Sequence, residues 1–308
     1  MRPLLYVTVL LSLLLPLCSI KGFAAAGVHS CGFDAVKKIR GRPPVAVVRE
    51  VPAKGQGAWQ AYTASTSGTW APIRILVSTI DLSNTDRYCT RVGESRPNYI
   101  DDNKTVCQYS DILSDERKNA LINQVIPEAV KLHQERLLVK PFDGKFKVPD
   151  KVQNNSCDHF SIPQEHRDPG FSGYDTVMYA AAGPKVVDDA VAWGLSCATL
   201  PNDGRPVAGA IYFTPEYITN SSQMARIVAH EMAHILGFDH DVFLRLNLVK
   251  TAYTLRNLYY VPFLTCPSLL ERPRSTSTAA LSGVLSWKGT AMSGRRCHTG
   301  MYATQRTS

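Results

Sequence analysis

One stretch of this chain decides how its fold is interpreted: His230-Glu231-Met232-Ala233-His234-Ile235-Leu236-Gly237-Phe238-Asp239-His240, spaced H-E-x-x-H-x-x-G-x-x-H. Two histidines four residues apart on an α-helix project from the same face, so both imidazoles can reach one metal ion. Glu231 follows the first histidine and is placed to polarise a metal-bound water. Residues 224–229 read as a buried helical lead-in. The pattern therefore predicts a metal-dependent hydrolytic site on a helix.

Three histidines of this motif are candidate ligands for one Zn²⁺. A hydrolytic zinc site has three protein ligands and one open position, where the pKa of a bound water falls to about 7. We expect Gly237 to end the helix in a left-handed turn, so that His240 can join His230 and His234 on the metal. The alternative is that His240 is a surface residue of an acidic turn.

The first 26 residues have the pattern of a secretory signal peptide. Arg2 precedes an apolar run from Leu4 to Ile20, and small residues precede Gly27, which predicts cleavage near Ala26. A retained signal anchor is the alternative, because the apolar run is long for a signal peptide. We expect a secreted or cell-surface protein, and the hydrophilic end at Ser308 predicts no lipid anchor.

The net charge of +8 over 308 residues is concentrated at the two ends of the chain. The signal region carries two basic residues and no acid, and residues 266–308 carry a net charge of +5, which leaves +1 for residues 27–265. We therefore expect no nucleic-acid or membrane partner for the folded part. The 44% of hydrophobic residues is enough for one large core or two smaller ones.

A secreted chain favours disulfides and glycosylation. Four cysteines fall in the globular region and allow three pairings, which the spacing alone does not decide: Cys89, Cys107, Cys157 and Cys197. Three asparagines begin N-glycosylation triplets and are expected in exposed loops: Asn103, Asn154 and Asn220.

Helical and extended patterns alternate along the chain. Residues 73–77, 176–181 and 207–213 read as strands, the last two as buried ones. Ser114 is expected to cap a long helix that is kinked at Pro127. These patterns predict an α+β fold with a twisted mixed sheet over long helices, including the zinc-binding helix. Residues 176–181 are the predicted edge strand for an extended substrate.

Four segments together resemble one protein family. They are Trp70–Ile75, Asp81–Gly93, Leu121–His133 and Val228–His234. They resemble leishmanolysin, a family of surface metalloendopeptidases of protozoan parasites, and the likeness runs from about Val28 to Leu264. The resemblance implies a metzincin-like catalytic domain over residues 66–265, with zinc. It also implies that Cys89 pairs with Cys107 and Cys157 with Cys197.

The same resemblance indicates how such an enzyme is kept latent. The segment from His29 to Asp34 is similar to a pro-segment motif whose cysteine thiolate occupies the open position of the zinc. A thiolate is a good zinc ligand, so Cys31 is a candidate switch within a pro-segment of residues 27–65. The alternative is an ordinary unpaired cysteine.

The chain departs from the family after Cys266, in a Ser-, Thr- and Arg-rich tail. The family's later segment S-H-x-x-x-R-N-A-x-D-E-L-M-A, which supplies the third zinc histidine, does not occur here. In another reading frame, however, codons for residues 283–308 can encode CPELEGHGNERSSMSHWDVRNAEDE. We therefore hypothesise a frameshift between about Cys266 and Ser282. Residues 266–308 would then be an aberrant, disordered tail, and the C-terminal subdomain would be largely missing.

Three hypotheses for the function follow. The first is a secreted, monomeric zinc endopeptidase in which Glu231 is the general base and protein or peptide substrates bind extended. The second is a truncated, inactive pseudo-protease. The third is a surface glycoprotein for adhesion, with contacts to cells or extracellular matrix.

Overall fold

The computed structural model describes residues 31–41, 45–51, 70–149, 155–201, 203–255 and 258–264. The predicted signal peptide, most of the predicted pro-segment, Asn154 and the tail from residue 266 lie outside the described residues. The predictions about signal cleavage, the frameshift and disorder of the tail therefore stay predictions.

The described residues form an α+β fold, as the alternation of patterns predicts. The helices are α1 (Phe33–Arg40), α2 (Ile80–Ser83), α3 (Asp115–Ala120), α4 (Ile126–Gln134), α5 (Gln164–Arg167), α6 (Ser222–Ile235) and α7 (His240–Arg245). The first strands are β1 (Ala46–Val47), β2 (Arg49–Val51), β3 (Ala71–Pro72), β4 (Ile75–Ser78), β5 (Ser95–Pro97), β6 (Lys104–Val106), β7 (Leu138–Val139) and β8 (Lys145–Lys147). The later strands are β9 (Thr176–Ala182), β10 (Ala192–Thr199), β11 (Pro206–Phe213), β12 (Val249–Leu255) and β13 (Leu258–Leu264). None of these helices is both long enough and apolar enough to cross a bilayer.

The central sheet has five strands in the order β1-β10-β11-β9-β4 and is mixed. Strand β9 runs parallel to both β4 and β11, whereas β10 runs antiparallel to β11. Every residue of β9 and β11 is buried, which explains why these two strands read as continuous apolar runs. Side chains alternate between the two faces, so Val177 and Tyr179 join one core while Met178 and Ala180 join the other.

The prediction that residues 176–181 form an edge strand is wrong. Strand β9 lies between β11 and β4, with Thr176–Tyr179 paired to β4 and Val177–Ala182 paired to β11, so it is an interior strand of the sheet and not its edge. A continuous apolar run is typical of a strand covered on both faces, and it carries no signal for an edge. The motif helix α6 packs instead chiefly against β10, a strand for which the sequence shows no clear pattern.

The long helix begins where the sequence predicts. The Ser114 hydroxyl accepts a hydrogen bond from the backbone N–H of Arg117 at 3.2 Å and caps α3. Residues Leu121–Val125 then form a π-helical turn that leads directly into α4. Pro127 lies in the first turn of α4, where its missing N–H is accommodated by the wider turn before it.

Two glycines allow α6 to pack closely against the sheet. A Cβ on Gly194 of β10 would lie 3.0 Å from the carbonyl carbon of Glu231. A Cβ on Gly209 of β11 would overlap the side chain of Ile235. Only glycine fits at both positions, and the motif helix is thereby held against β10 and β11.

Two disulfides hold the loops around this core, in the pairing that the family resemblance implies. Cys89 pairs with Cys107, and Cys157 pairs with Cys197. The second disulfide joins β10 to the short 3₁₀ turn Ser156–His159.

Candidate metal centre

Helix α6 brings the first two histidines of the motif together. The Nε2 atoms of His230 and His234 lie 3.2 Å apart, and the two rings are nearly perpendicular. The spacing of four residues on one helical face produces this juxtaposition directly. The structure thus brings these two imidazoles together, and their role as metal ligands stays a prediction.

The end of α6 sets the tautomer of His234. Gly237 has φ +92°, and the backbone N–H of Phe238 donates to the Ala233 carbonyl while that of Gly237 donates to the His234 carbonyl. This left-handed turn is the one predicted for Gly237. It places the Phe238 carbonyl 2.8 Å from Nδ1 of His234. Because a carbonyl only accepts, Nδ1 carries the hydrogen, and Nε2 of the neutral ring presents a lone pair to the site.

Both histidines favour their neutral form. Burial lowers the pKa of His230, and burial lowers the pKa of His234 to about 4, against the opposing effect of its hydrogen bond to Phe238. Neutral imidazole is the form that binds a metal ion.

Cys31 completes a group of three donor atoms. Its Sγ lies 3.4 Å from Nε2 of His234, and the Sγ and the two histidine donor atoms all lie within 4.8 Å of one another. The cysteine is held on the β10 side of the site, since the next backbone N–H, of Gly32, donates to the Ala192 carbonyl at 3.1 Å. Solvent still reaches Cys31, but its partial burial, reinforced by the charge of Glu231, raises the pKa of the thiol to about 12. Its thiolate therefore requires a cation within the group.

Glu231 is buried beside these donors, with only 1% of its surface exposed. The backbone N–H of Gly194 and the Cys31 thiol donate to its carboxylate, whereas its Oε2 has no hydrogen-bond partner. Burial raises the pKa of this carboxyl to about 8, against the lowering effect of those two hydrogen bonds. A buried carboxylate oxygen without a partner is costly and points to a group that the site is built to receive.

Helix α1 covers the motif. The ring of Phe33 stacks on the His234 imidazole at 4.0 Å between centroids. Lys37 forms an ion pair at 2.9 Å with Asp239, in the turn that follows α6, and another at 2.6 Å with Asp241, in the first turn of α7. A cavity of about 540 Å³ remains between α1 and this turn. The segment that carries Cys31 is thus docked by stacking and by ion pairs as well as by the cysteine.

His240 is not brought into the donor group. Within the described part of the chain, the group that could hold a metal contains Cys31, His230 and His234. Asp239 caps α7 by accepting the N–H of Asp241, so the chain resumes as a helix at His240. The exposed His240 lines the cavity instead.

The other predicted positions are placed as follows. Asn103 and Asn220 are exposed, as glycosylation requires, while Asn154 lies outside the described residues. His133 of α4 packs against the motif helix, with its Nε2 2.8 Å from the Ala229 carbonyl. That contact joins residues 96 positions apart, and α4 shows no sequence signal for it.

A known family matches most of this chain. The family model described as leishmanolysin matches residues 29–283. This range includes Cys31 and the whole metal-binding motif, and it extends beyond Leu264, where the resemblance was expected to end.

Individual relatives match over a similar range. Leishmanolysin of Leishmania donovani is 33% identical over 261 residues, which cover 82% of this chain and 43% of the relative. Leishmanolysin of Leishmania major is 36% identical over 208 residues, 67% of this chain and 34% of the relative. A leishmanolysin homolog of Crithidia fasciculata is 33% identical over 211 residues, 68% of this chain and 32% of the relative. The chain therefore spans less than half the length of these curated relatives.

Proposed function

This chain belongs to the leishmanolysin family, and from that premise we propose that it is a secreted or cell-surface zinc endopeptidase in a latent form. The observation that carries the proposal is the convergence of Cys31, His230 and His234 beside the buried Glu231. The two disulfides support an oxidising, extracellular location.

The donor set fits zinc. Two neutral imidazole nitrogens and one thiolate are the ligands that zinc prefers. The orientation of His234 by the Phe238 carbonyl is the outer-shell support that metal-binding histidines ordinarily have. When bound, zinc would lower the pKa of a water molecule and polarise a peptide carbonyl.

Glu231 is the proposed general base. Its partnerless Oε2 would take a proton from the attacking water and pass it to the leaving amine. A cation held by the two histidines would lower the pKa of this carboxyl from about 8, so that it is ionised at neutral pH. The hydrogen bond from Gly194 keeps the carboxylate in place during the transfer.

The proposed substrate pairs with the edge of β10. On its outer side, within the described residues, β10 pairs with β1 at Ala198 and Thr199 only. Nearer the motif, the Ala192 carbonyl accepts the N–H of Gly32. An extended peptide that takes the place of Gly32 would gain the same backbone hydrogen bond and lie beside Glu231.

Latency follows from the same contacts. Cys31 occupies a donor position, Gly32 occupies the β10 edge, and Phe33 covers His234. Removal of this segment would free both the donor position and the edge. We infer that the third protein ligand of the mature site is not among the described residues, since His240 lies outside the donor group.

The test measures bound metal and hydrolysis on the secreted chain. We expect about one zinc per chain by mass spectrometry, and cleavage of an unstructured protein after Cys31 is chemically modified or the segment is removed. Glu231→Gln should keep the zinc and lose the cleavage. The matched control Glu216→Gln, in an ion pair with Lys185, should keep both. A chain that binds no zinc, or a Glu231→Gln variant that still cleaves, would refute the proposal. Zinc binding without cleavage in the wild type would indicate an inactive relative.

A further inference from the structure

The far end of helix α1 is held by an arginine. The guanidinium Nη2 of Arg40 lies 3.2 Å from the Asn155 carbonyl and 3.3 Å from Nε2 of His159. Both partners lie at the 3₁₀ turn that the Cys157–Cys197 disulfide joins to β10. This site lies at the opposite end of α1 from Cys31.

The platform that receives Arg40 is rigid. The Asn155 side chain is buried, donating to the Cys197 carbonyl at 2.8 Å and accepting the backbone N–H of Cys157 at 2.9 Å. The His159 carbonyl accepts a hydrogen bond from Arg87, which is itself paired with the buried Asp81. The site therefore exists as part of the fold and is not created by α1.

The hydrogen bond from Arg40 imposes one protonation state on His159. A guanidinium has five N–H donors and no acceptor, so Nε2 of His159 has to accept through its lone pair. The hydrogen then lies on Nδ1, which is 3.4 Å from a carboxylate oxygen of Asp102. A doubly protonated ring would direct N–H against N–H and would place two cations in contact.

The charged groups around His159 come from three parts of the chain. Asp101 and Asp102 approach from the loop after β5, Asp158 is the sequence neighbour, and Arg40 comes from α1. The three carboxylates attract the Arg40 guanidinium. Burial and then the Arg40 charge lower the pKa of His159, while the carboxylates oppose that shift. This lowering of the His159 pKa agrees with the neutral ring that the hydrogen bond from Arg40 requires.

We propose that Asn155, His159 and the surrounding carboxylates form a guanidinium-binding site, which takes Arg40 as its ligand in this chain and releases it when His159 is protonated. The site would hold α1 in its docked position independently of the Cys31 thiol. Its ligand is a peptide arginine, whose Nη2 carries two N–H bonds in one plane and can therefore donate one to the Asn155 carbonyl and one to the His159 imidazole.

The expected pH dependence has a definite sign. Docking of Arg40 weakens as the pH falls through the pKa that His159 has in the released state, because the released ring accepts a proton more readily than the ring beside the Arg40 charge. At pH 5.5 the equilibrium for release should rise by up to about tenfold through His159 alone.

Hydrogen exchange of residues 33–40, read by mass spectrometry at pH 7.5 and 5.5 and corrected for intrinsic rates, tests this. Arg40→Gln should increase opening of α1 about tenfold or more at pH 7.5, from the loss of charge-assisted hydrogen bonds. The control Lys38→Gln, at an exposed position of the same helix, should behave as wild type. His159→Gln keeps a hydrogen-bond acceptor that cannot be protonated. In this variant α1 should stay docked at pH 7.5, and its exchange should not show the additional increase that wild type shows at pH 5.5.

Two outcomes would overturn the proposal: equal exchange in Arg40→Gln and Lys38→Gln, or the same pH response in His159→Gln and wild type. If His159→Gln does not fold, Arg40→Gln serves in its place, because hydrogen exchange of its α1 should lack the increase between pH 7.5 and pH 5.5. The measurement is made on zinc-free and zinc-loaded chain and needs no hydrolysis, so it can succeed even if the chain proves not to be a peptidase.

Discussion

Replacing Gly194 by alanine tests whether the close packing of α6 on β10 controls the donor group. The added Cβ would lie 3.0 Å from the Glu231 carbonyl carbon and 3.2 Å from Cγ1 of Ile235. Carbon atoms pack best at about 3.5–4.0 Å, so α6 has to retreat from β10 by roughly 0.5–1 Å. Overpacking of this kind costs about 1–3 kcal/mol, which lowers the Tm of a domain of this size by roughly 2–12 °C.

The retreat separates the cysteine from the histidines. Both histidines are carried by α6, whereas Cys31 stays with β10 through the hydrogen bond from Gly32 to Ala192. The distance from Cys31 Sγ to His234 Nε2 is 3.4 Å and would grow to roughly 4 Å. We expect alkylation of Cys31 by iodoacetamide to be faster in Gly194→Ala than in wild type, and zinc binding to be weaker by about tenfold.

The assay is peptide-mapped alkylation of Cys31 over time, together with bound zinc and thermal unfolding. Gly183→Ala is the matched control, because its Cβ would lie 3.0 Å from the Tyr212 hydroxyl and its other close contacts are to Tyr212 and Pro97. It should lower the Tm without changing the reactivity of Cys31. If Gly194→Ala alkylates no faster than Gly183→Ala, the positions of the cysteine and the histidines do not depend on this contact, and the reasoning fails.

Three further predictions concern the metal group and the stability of the fold. Removing the Cys157–Cys197 disulfide by a double alanine substitution should lower the free energy of unfolding by about 4 kcal/mol, because the disulfide closes a loop of 40 residues. Urea denaturation measures this change, and an unchanged midpoint would contradict the prediction. His240→Ala should leave zinc content unchanged by mass spectrometry, because this residue lies outside the donor group, and loss of the metal would make it a ligand of a rearranged site. Asp175→Asn should cost about 3 kcal/mol in the same denaturation assay, because the buried carboxylate accepts two hydrogen bonds from the Arg74 guanidinium, at 3.0 Å each; a cost below about 1 kcal/mol would show that the pair contributes little.

Local patterns predicted the elements whose signal lies within a few residues. The spacing of His230 and His234, the left-handed turn at Gly237 and the cap at Ser114 all depend on neighbours along one helix, and the structure has each of them. The buried strands β9 and β11 were also found, because continuous apolar runs are typical of covered strands.

Strand β10 was missed for a physical reason. Its sequence mixes small, polar and aromatic residues, since Gly194 has to admit the backbone of α6 and Cys197 has to reach the disulfide. Such requirements come from other parts of the chain, and they leave no regular alternation of apolar and polar residues that would indicate a strand. The substrate edge was consequently assigned to β9.

The sequence by itself indicated which residues could form the centre: two histidines and a glutamate on one helix, to which the family resemblance added Cys31, far ahead of them in the chain. Only the tertiary structure decided which groups meet there. It places Cys31 beside His234 across 203 positions, leaves His240 outside, and holds Arg40 at His159. The reason is that helix periodicity acts over one turn, whereas these contacts depend on how strands pair and on which backbone is small enough to approach another.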